Sequence, residues 1–224
     1  MAGRLVDRAG RLHFVYGRSY LDRPDAIPIY EPELPLRRGE QEPAASMAMP
    51  SCIRDASPDA WGRRVVINRL LGLKAAAADA EPSELAFLLE SGSDRIGALD
   101  FQRSPTEYVP RLAANAGMEE LLEAADRVER GVPLNPELDR ALYHGSSIGG
   151  ARPKALVDQQ DRKWIAKFSA SNDTYSVVKA EFVAMRLAAL SGLSVAPVRM
   201  VQAAHRDVLL VERFDRVHGP GGWA

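Results

Sequence analysis

The chain is poor in cysteine, in net charge and in long apolar runs, and each shortage closes off a class of protein. Cys52 is the single cysteine in 224 residues, so no disulfide can form within the chain, which fits a reducing, cytoplasmic setting. With 29 basic and 30 acidic residues the formal net charge is −1, and no overall nucleic-acid footprint follows from it. Arg37-Arg38 and Arg63-Arg64 read as solvated surface. No apolar stretch approaches the ~18 residues of a membrane-spanning helix, and Met1-Ala2-Gly3-Arg4 leads into no apolar run of a signal peptide. The four histidines, His13, His144, His205 and His218, are scattered. None is paired at i, i+4, so local motifs supply no metal site. What is present is ordinary for a soluble globular chain: 46% hydrophobic and 26% charged residues, enough length for one large or two modest domains. Fifteen prolines and 17 glycines are spread along the sequence, which favours many short elements over a long helical array.

The patterning predicts an α+β chain: a β-rich N-terminal subdomain with helices over 1–104, a helical connection over 105–142, and an antiparallel sheet with one main helix over 143–224. Arg11 to Tyr16 alternates polar and apolar between Gly10 and Gly17, as a strand does. Residues 31–50, with Pro32, Pro35, Pro43 and Pro50, read as a loop or irregular edge. Ser57-Pro58-Asp59 reads as a helix start with Ser57 as its cap, and Gly72 as its stop. A helix over Pro82–Leu89 and a strand over Gly97–Phe101 follow. Apolar residues from Met118 to Val128 recur at helical spacing until Gly131 and Pro133, and Pro136 opens a short helix. Beyond Tyr143 the sequence predicts a small-residue loop, a strand at Ala155–Val157, a turn at Asp158–Asp161, a strand at Lys163–Phe168, a helix from about Tyr175 to Leu190, and a hairpin of Val195–Val201 with Val208–Val211. The second strand of that hairpin is expected to form an unsupported edge.

The order of parts from Ser146 to Asp215 is that of the ATP-holding lobe of a protein kinase. Holding a nucleotide polyphosphate requires backbone N–H groups close to phosphate oxygens, which small residues allow. It also requires a strand lysine to reach the phosphates, and a helix glutamate to fix that lysine. Ser146-Ser147-Ile148-Gly149-Gly150-Ala151, Lys167, Glu181 and the hinge-like Glu212 to Phe214 supply these parts in sequence. Each alone reads equally well as a turn, a solvated lysine, a helix face or core; the joint order carries the argument. The same loop also contains Gly145-Ser146-Ser147-Ile148-Gly149, a G-x-S-x-G match to the nucleophile elbow of serine hydrolases. That elbow needs a strand before it and a helix after it. Here the flanks read as helix before and strand after.

Taken together, Ser146 to Lys154, Lys163 to Phe168 and Val211-Glu212-Arg213-Phe214-Asp215-Arg216 resemble the phosphate loop, lysine strand and hinge of HipA-type serine/threonine kinases, the toxins of bacterial type II toxin–antitoxin systems. Phe14-Val15-Tyr16 with Tyr20-Leu21, Ser57 to Arg64, and Asp94 to Leu99 are similar to that family's N-terminal subdomain. The resemblance implies an ATP- and magnesium-dependent kinase acting on a protein serine or threonine, family targets being aminoacyl-tRNA synthetases. It implies a small helix-turn-helix antitoxin of HipB type as partner, with DNA engaged only through that antitoxin and no membrane. By position, Ser147, Ile148, Gly149, Gly150, Ala151, Lys154, Lys167, Glu181, Glu212 and Phe214 would bind the nucleotide. Ser147 matches the loop serine that is autophosphorylated, and a phosphate there adds roughly −1.5 to −2 of charge.

The family's catalytic aspartate, its asparagine and its metal-binding aspartate have no counterpart before Ala224, so no catalytic or metal-binding residue is assigned. The sequence is expected to be an N-terminal portion of such a kinase; a short antitoxin or decoy that docks a partner kinase is the alternative. The 224-residue polypeptide is accordingly expected to show no phosphotransfer by itself. Incubation of the pure chain with radiolabelled ATP and a panel of proteins tests this, and any enzyme-dependent labelling would contradict it.

Overall fold

The computed structural model describes residues 1–73, 82–112, 116–143, 147–159, 161–219 and 222–223. Ser146, Gly145 and His144 of the expected loop, the Ala75–Ala78 run and Gln160 of the expected turn lie outside the described residues. The architecture is α+β, as the patterning predicts. An antiparallel three-stranded sheet opens the chain, in the order β1 (Gly3–Arg8), β2 (Arg11–Tyr16), β3 (Glu40–Gln41). Gly10, at φ +84°, makes the β1–β2 turn, a conformation glycine reaches without strain. Short helices α1 (Arg18–Leu21) and α2 (Ser51–Asp55) accompany this sheet. Leu12, Phe14, Tyr16, Leu34, Met49, Ile53 and Leu88 form its core.

Helix α3 (Ala60–Leu73) begins later than the Ser-Pro-Asp signal suggests. The Asp59 carbonyl accepts the first helical bond, from Arg63 N–H at 2.8 Å, so Asp59 stands at the cap position. Ser57 is buried beneath the segment instead of capping it. Gly72 lies within the helix. Helix α4 (Glu84–Glu90) is capped by Ser83, whose Oγ accepts Ala86 N–H. The strand expected over Gly97–Phe101 does not form. The Asp100 carboxylate accepts bonds from Ser93, Phe101 N–H, Gln102, Arg111 and Arg95, and Gly97 turns at φ +80°. This local polar knot holds the backbone out of any ladder.

Helices α5 (Met118–Glu129) and α6 (Pro136–Leu142) follow, the latter capped by Asn135. The second sheet is antiparallel throughout, in the order β4 (Lys154–Gln159), β5 (Arg162–Lys167), β7 (Arg206–Glu212), β6 (Val198–Ala203), with α7 (Val177–Leu190) packed against β6 and β7. Strand β7 is therefore interior and not an unsupported edge. It pairs with β5 and β6, and Val208, Leu209 and Leu210 are buried. A two-residue turn at Ala204 and His205, both at positive φ, closes the β6–β7 hairpin. A small pair, β8 (His218–Gly219) with β9 (Gly222–Trp223), ends the described chain.

One hydrophobic core spans the two halves of the chain. Trp61 and Val65 of α3, Leu121, Leu122, Ala125 and Val128 of α5, and Leu138 and Leu142 of α6 pack with Ala155, Trp164, Ala166, Phe168, Val208 and Leu210 of the second sheet and its continuation. Trp61 is fully buried and its Nε1–H donates to the Lys154 carbonyl at 2.9 Å. Removing that indole leaves a cavity and an unmet carbonyl, a loss of about 3–5 kcal/mol for a buried Trp→Ala change. Trp61→Ala is expected to lower the urea midpoint accordingly, measured by circular dichroism; a midpoint equal to that of the parent would contradict a core shared between the halves.

Candidate functional site

The site is assembled where the loop from Ser147 to Pro153 enters β4. Lys154 opens β4 and lies directly opposite Lys167 in the β4–β5 ladder. The two ammonium groups are held apart by different partners. Lys154 Nζ donates to the Gly149 carbonyl at 2.8 Å, folding the side chain back under its own loop. Lys167 Nζ forms an ion pair with Glu181 Oε1 on the first half of α7. Both partners of that pair are about one-third exposed, so it faces solvent on the side where the loop ends. Burial, with repulsion from Lys167, holds the Lys154 ammonium down at about 8, against the pull of Asp59 and Glu181.

The loop backbone is fixed from the first half of the chain. Asp59 Oδ2 accepts the Gly150 N–H at 2.7 Å, and Trp61 N–H donates to the Gly150 carbonyl at 3.1 Å. Gly150 stands at φ +106°. At Gly149 an added Cβ would come within 2.9 Å of Asp59 Oδ2. Both glycines are thus required by conformation or by close approach. Ile148 is buried, and Ser147, only 6% exposed, donates its hydroxyl to the Asp94 carbonyl at 2.8 Å. Ala151 lies exposed in the loop.

Asp94 is the second tie. Its carboxylate receives Lys163 Nζ at 2.7 Å, Arg213 Nη1 at 2.8 Å and Arg216 Nε at 3.2 Å. Burial works to raise the Asp94 carboxyl; the hydrogen bond from Lys163 and the charges of Arg213, Lys163 and Arg216 outweigh it and hold the group below the usual carboxylate range. Arg213 is itself buried and also pairs with Asp215 at 2.7 Å. The hinge-like segment is therefore pinned by its arginines, and Phe214 is the member that faces outward. Glu212 ends β7, with its N–H on the Pro197 carbonyl and its carboxylate on Arg162 at 2.7 Å. Phe214 is 88% exposed.

The structure thus brings Ser147, Ile148, Gly149, Gly150, Ala151, Lys154, Lys167 and Glu181 to one end of the second sheet. Glu212 lies three residues along β7 from Leu209, the partner of Lys167, a separation of about 10 Å at the strand rise. Sequence reasoning missed Asp59, Asp94, Lys163, Arg213 and Arg216 as members of this site. The Ser57-Pro58-Asp59 segment stood out as a helix start and as a mark of resemblance, and Asp94-Arg95 as a mark of resemblance. On the hydrolase alternative, α6 precedes the loop and β4 follows it, the reverse of an elbow. Among the described residues no cluster of three or more His, Cys, Asp or Glu side chains is placed to hold a metal, and no helix is long and apolar enough to cross a membrane.

Two family models match: the HipA N-terminal domain over residues 1–102 and the HipA-like C-terminal domain over residues 146–221. The chain belongs to the HipA family. A curated relative, named "Putative kinase Y4mE" from Sinorhizobium fredii, is 27% identical over 98% of this chain and 54% of its own length. A chain in the solved complex of the Shewanella oneidensis MR-1 toxin–antitoxin system, HipA, HipB and its operator DNA, is 22% identical with a TM-score of 0.49, over 99% of this chain and 50% of that one. The chain spans about half the length of these relatives.

The Lys154 environment makes a direct prediction. Its folded-state value near 8 lies below the ~10.4 of a free lysine. The folded state therefore binds fewer protons across that window, and the contribution of this group to stability rises with pH between the two values. Acylation of Lys154, followed by peptide mass spectrometry, is expected to titrate with a midpoint near 8 in the folded chain and to return to ~10.4 in urea. A folded-state midpoint near that of free lysine would contradict the buried placement.

Proposed function

We propose that residues 147–214 are the nucleotide-holding lobe of a HipA-type serine/threonine kinase, binding ATP with magnesium. The observation that carries this reading is the Lys167–Glu181 ion pair between β5 and α7, at the end of the sheet where the glycine loop turns. A lysine so fixed presents its charge to a polyphosphate without the freedom of a surface side chain. The loop from Ile148 to Ala151 would supply backbone N–H groups, and Lys154 a second positive charge, to the same phosphates. Glu212 and Phe214, about 10 Å along the sheet, would border the base. Magnesium keeps several waters and binds largely through the phosphates, so it would arrive with the nucleotide; no residue of this chain is assigned to it.

Ser147 is proposed as the autophosphorylated serine. Its hydroxyl now donates to the Asp94 carbonyl. A phosphoserine has no such proton to give and carries charge that a buried loop position disfavours, so modification would expel the loop and remove the phosphate site. For the whole protein we propose a toxin of a type II toxin–antitoxin system that phosphorylates a protein target, restrained by a HipB-type helix-turn-helix antitoxin through which DNA is engaged. The exposed apolar residues Val183, Leu187 and Leu190 on α7, with Leu193 after it, are assigned to contact with the catalytic helical lobe of a chain of full family length.

Without that lobe the nucleotide is expected to be held weakly. Millimolar ATP with magnesium should raise the melting temperature of the 224-residue chain by no more than a few degrees, and Lys167→Ala should abolish that shift. An equal shift in parent and variant would contradict the assignment of Lys167.

A further inference from the structure

Asp59 is exposed, lies in the first half of the chain, and places a carboxylate on the loop that the proposed function reserves for phosphate. Its Oδ2 takes the Gly150 N–H at 2.7 Å, a charge-assisted bond of the strong class. The position is specific. Asp59 reaches the loop from the cap of α3, and Trp61, two residues on, grips the same loop by donating to the carbonyls of Gly150 and Lys154. Gly149 has no Cβ, and one would stand 2.9 Å from that same oxygen. The oxygen therefore sits against the face of the loop that Gly149 leaves open, while a Cβ at Gly150 would meet Lys154 Nζ at 2.7 Å. Lys154, on the other side, is bonded to the Gly149 carbonyl. A negative oxygen already fills the place where an amide of the loop would meet a phosphate.

We propose that Asp59 is an internal competitor for the phosphate subsite: its carboxylate occupies the Gly150 N–H in the empty protein and must release it when a nucleotide polyphosphate binds. This rests on the nucleotide reading given above. Two anions cannot share one amide donor, so each phosphate contact at Gly150 is made at the expense of the Asp59 bond. Since Asp59 is exposed, release needs only a side-chain rotation, and Trp61 keeps the loop in register meanwhile. The N-terminal half thereby sets the affinity of a site built from the second half. It also selects for ligands that carry enough negative charge to displace a carboxylate, which favours a triphosphate over a monophosphate.

The test compares the parent with Asp59→Asn and Asp59→Ala. The first readout uses no ligand: hydrogen exchange of the peptide covering Ile148–Lys154. The second is calorimetric titration with ATP and with inorganic tripolyphosphate. The proposal expects faster exchange in both variants, and binding of both ligands tightened by about five- to tenfold, the difference between a charge-assisted and a neutral or absent bond. Unchanged exchange would overturn the latch whatever ATP does. Faster exchange with weaker binding would make Asp59 an anchor that preforms the site, and would also overturn the proposal. If the parent and both variants fail to bind either ligand while exchange is faster, the nucleotide reading itself fails, and the competitor role falls with it.

Discussion

The arrangement depends on one buried carboxylate. Asp94 comes from the segment after α4, yet it neutralises Lys163 on β5 together with Arg213 and Arg216 after β7. With Asp215 and Asp158 completing the pairing, three cations meet three carboxylates around a largely buried centre. Such a cluster contributes little net stability against well-packed apolar groups, but breaking it is costly, about 3–5 kcal/mol when one partner is lost. Its consequence is geometric. The hinge-like segment cannot take up its position unless the first half of the chain is folded and present, and the Ser147 hydroxyl rests on the same residue's carbonyl.

From that junction the electrostatics of the loop follow. Lys154 and Lys167 stand opposite each other in adjacent strands, which costs energy unless each has a local acceptor. The Gly149 carbonyl and Glu181 provide these. One lysine is thereby buried and depressed, and the other is left about one-third exposed and paired. A site that gathers two cations, a glycine turn and an anionic residue from a distant segment is poised for exchange of one anion for another. Its rigidity comes from the core of Trp61, Trp164 and the α5–α6 helices, and its adaptability from the exposed carboxylate of Asp59.

Much of this was legible in the residues. The lysine, the glutamate on the next helix and the glycine pair could be placed because they follow a fixed order along neighbouring elements. The strands and helices with clean periodicity, Arg11–Tyr16 and Met118–Glu129 above all, formed where the pattern put them. The misses share a physical cause. Gly97–Phe101 looks like a strand, but a single carboxylate, Asp100, gathers the surrounding donors and overrides the ladder. Val208–Val211 looks like an edge until pairing with β5 shows it to be interior. Asp59 and Asp94 act on groups 91 and 69 residues away, and no local period or spacing reports such contacts.

The account stands on Lys167 being the residue that meets the phosphates. An ATP analogue carrying an acyl-phosphate, which transfers its acyl group to a lysine amine beside the terminal phosphate, tests this with the fewest assumptions. Digestion and mass spectrometry should find the acyl group on Lys167, with Lys154 the only secondary site, and excess ATP should suppress both. Labelling spread over surface lysines, or labelling of Lys167 that ATP does not suppress, would contradict the account.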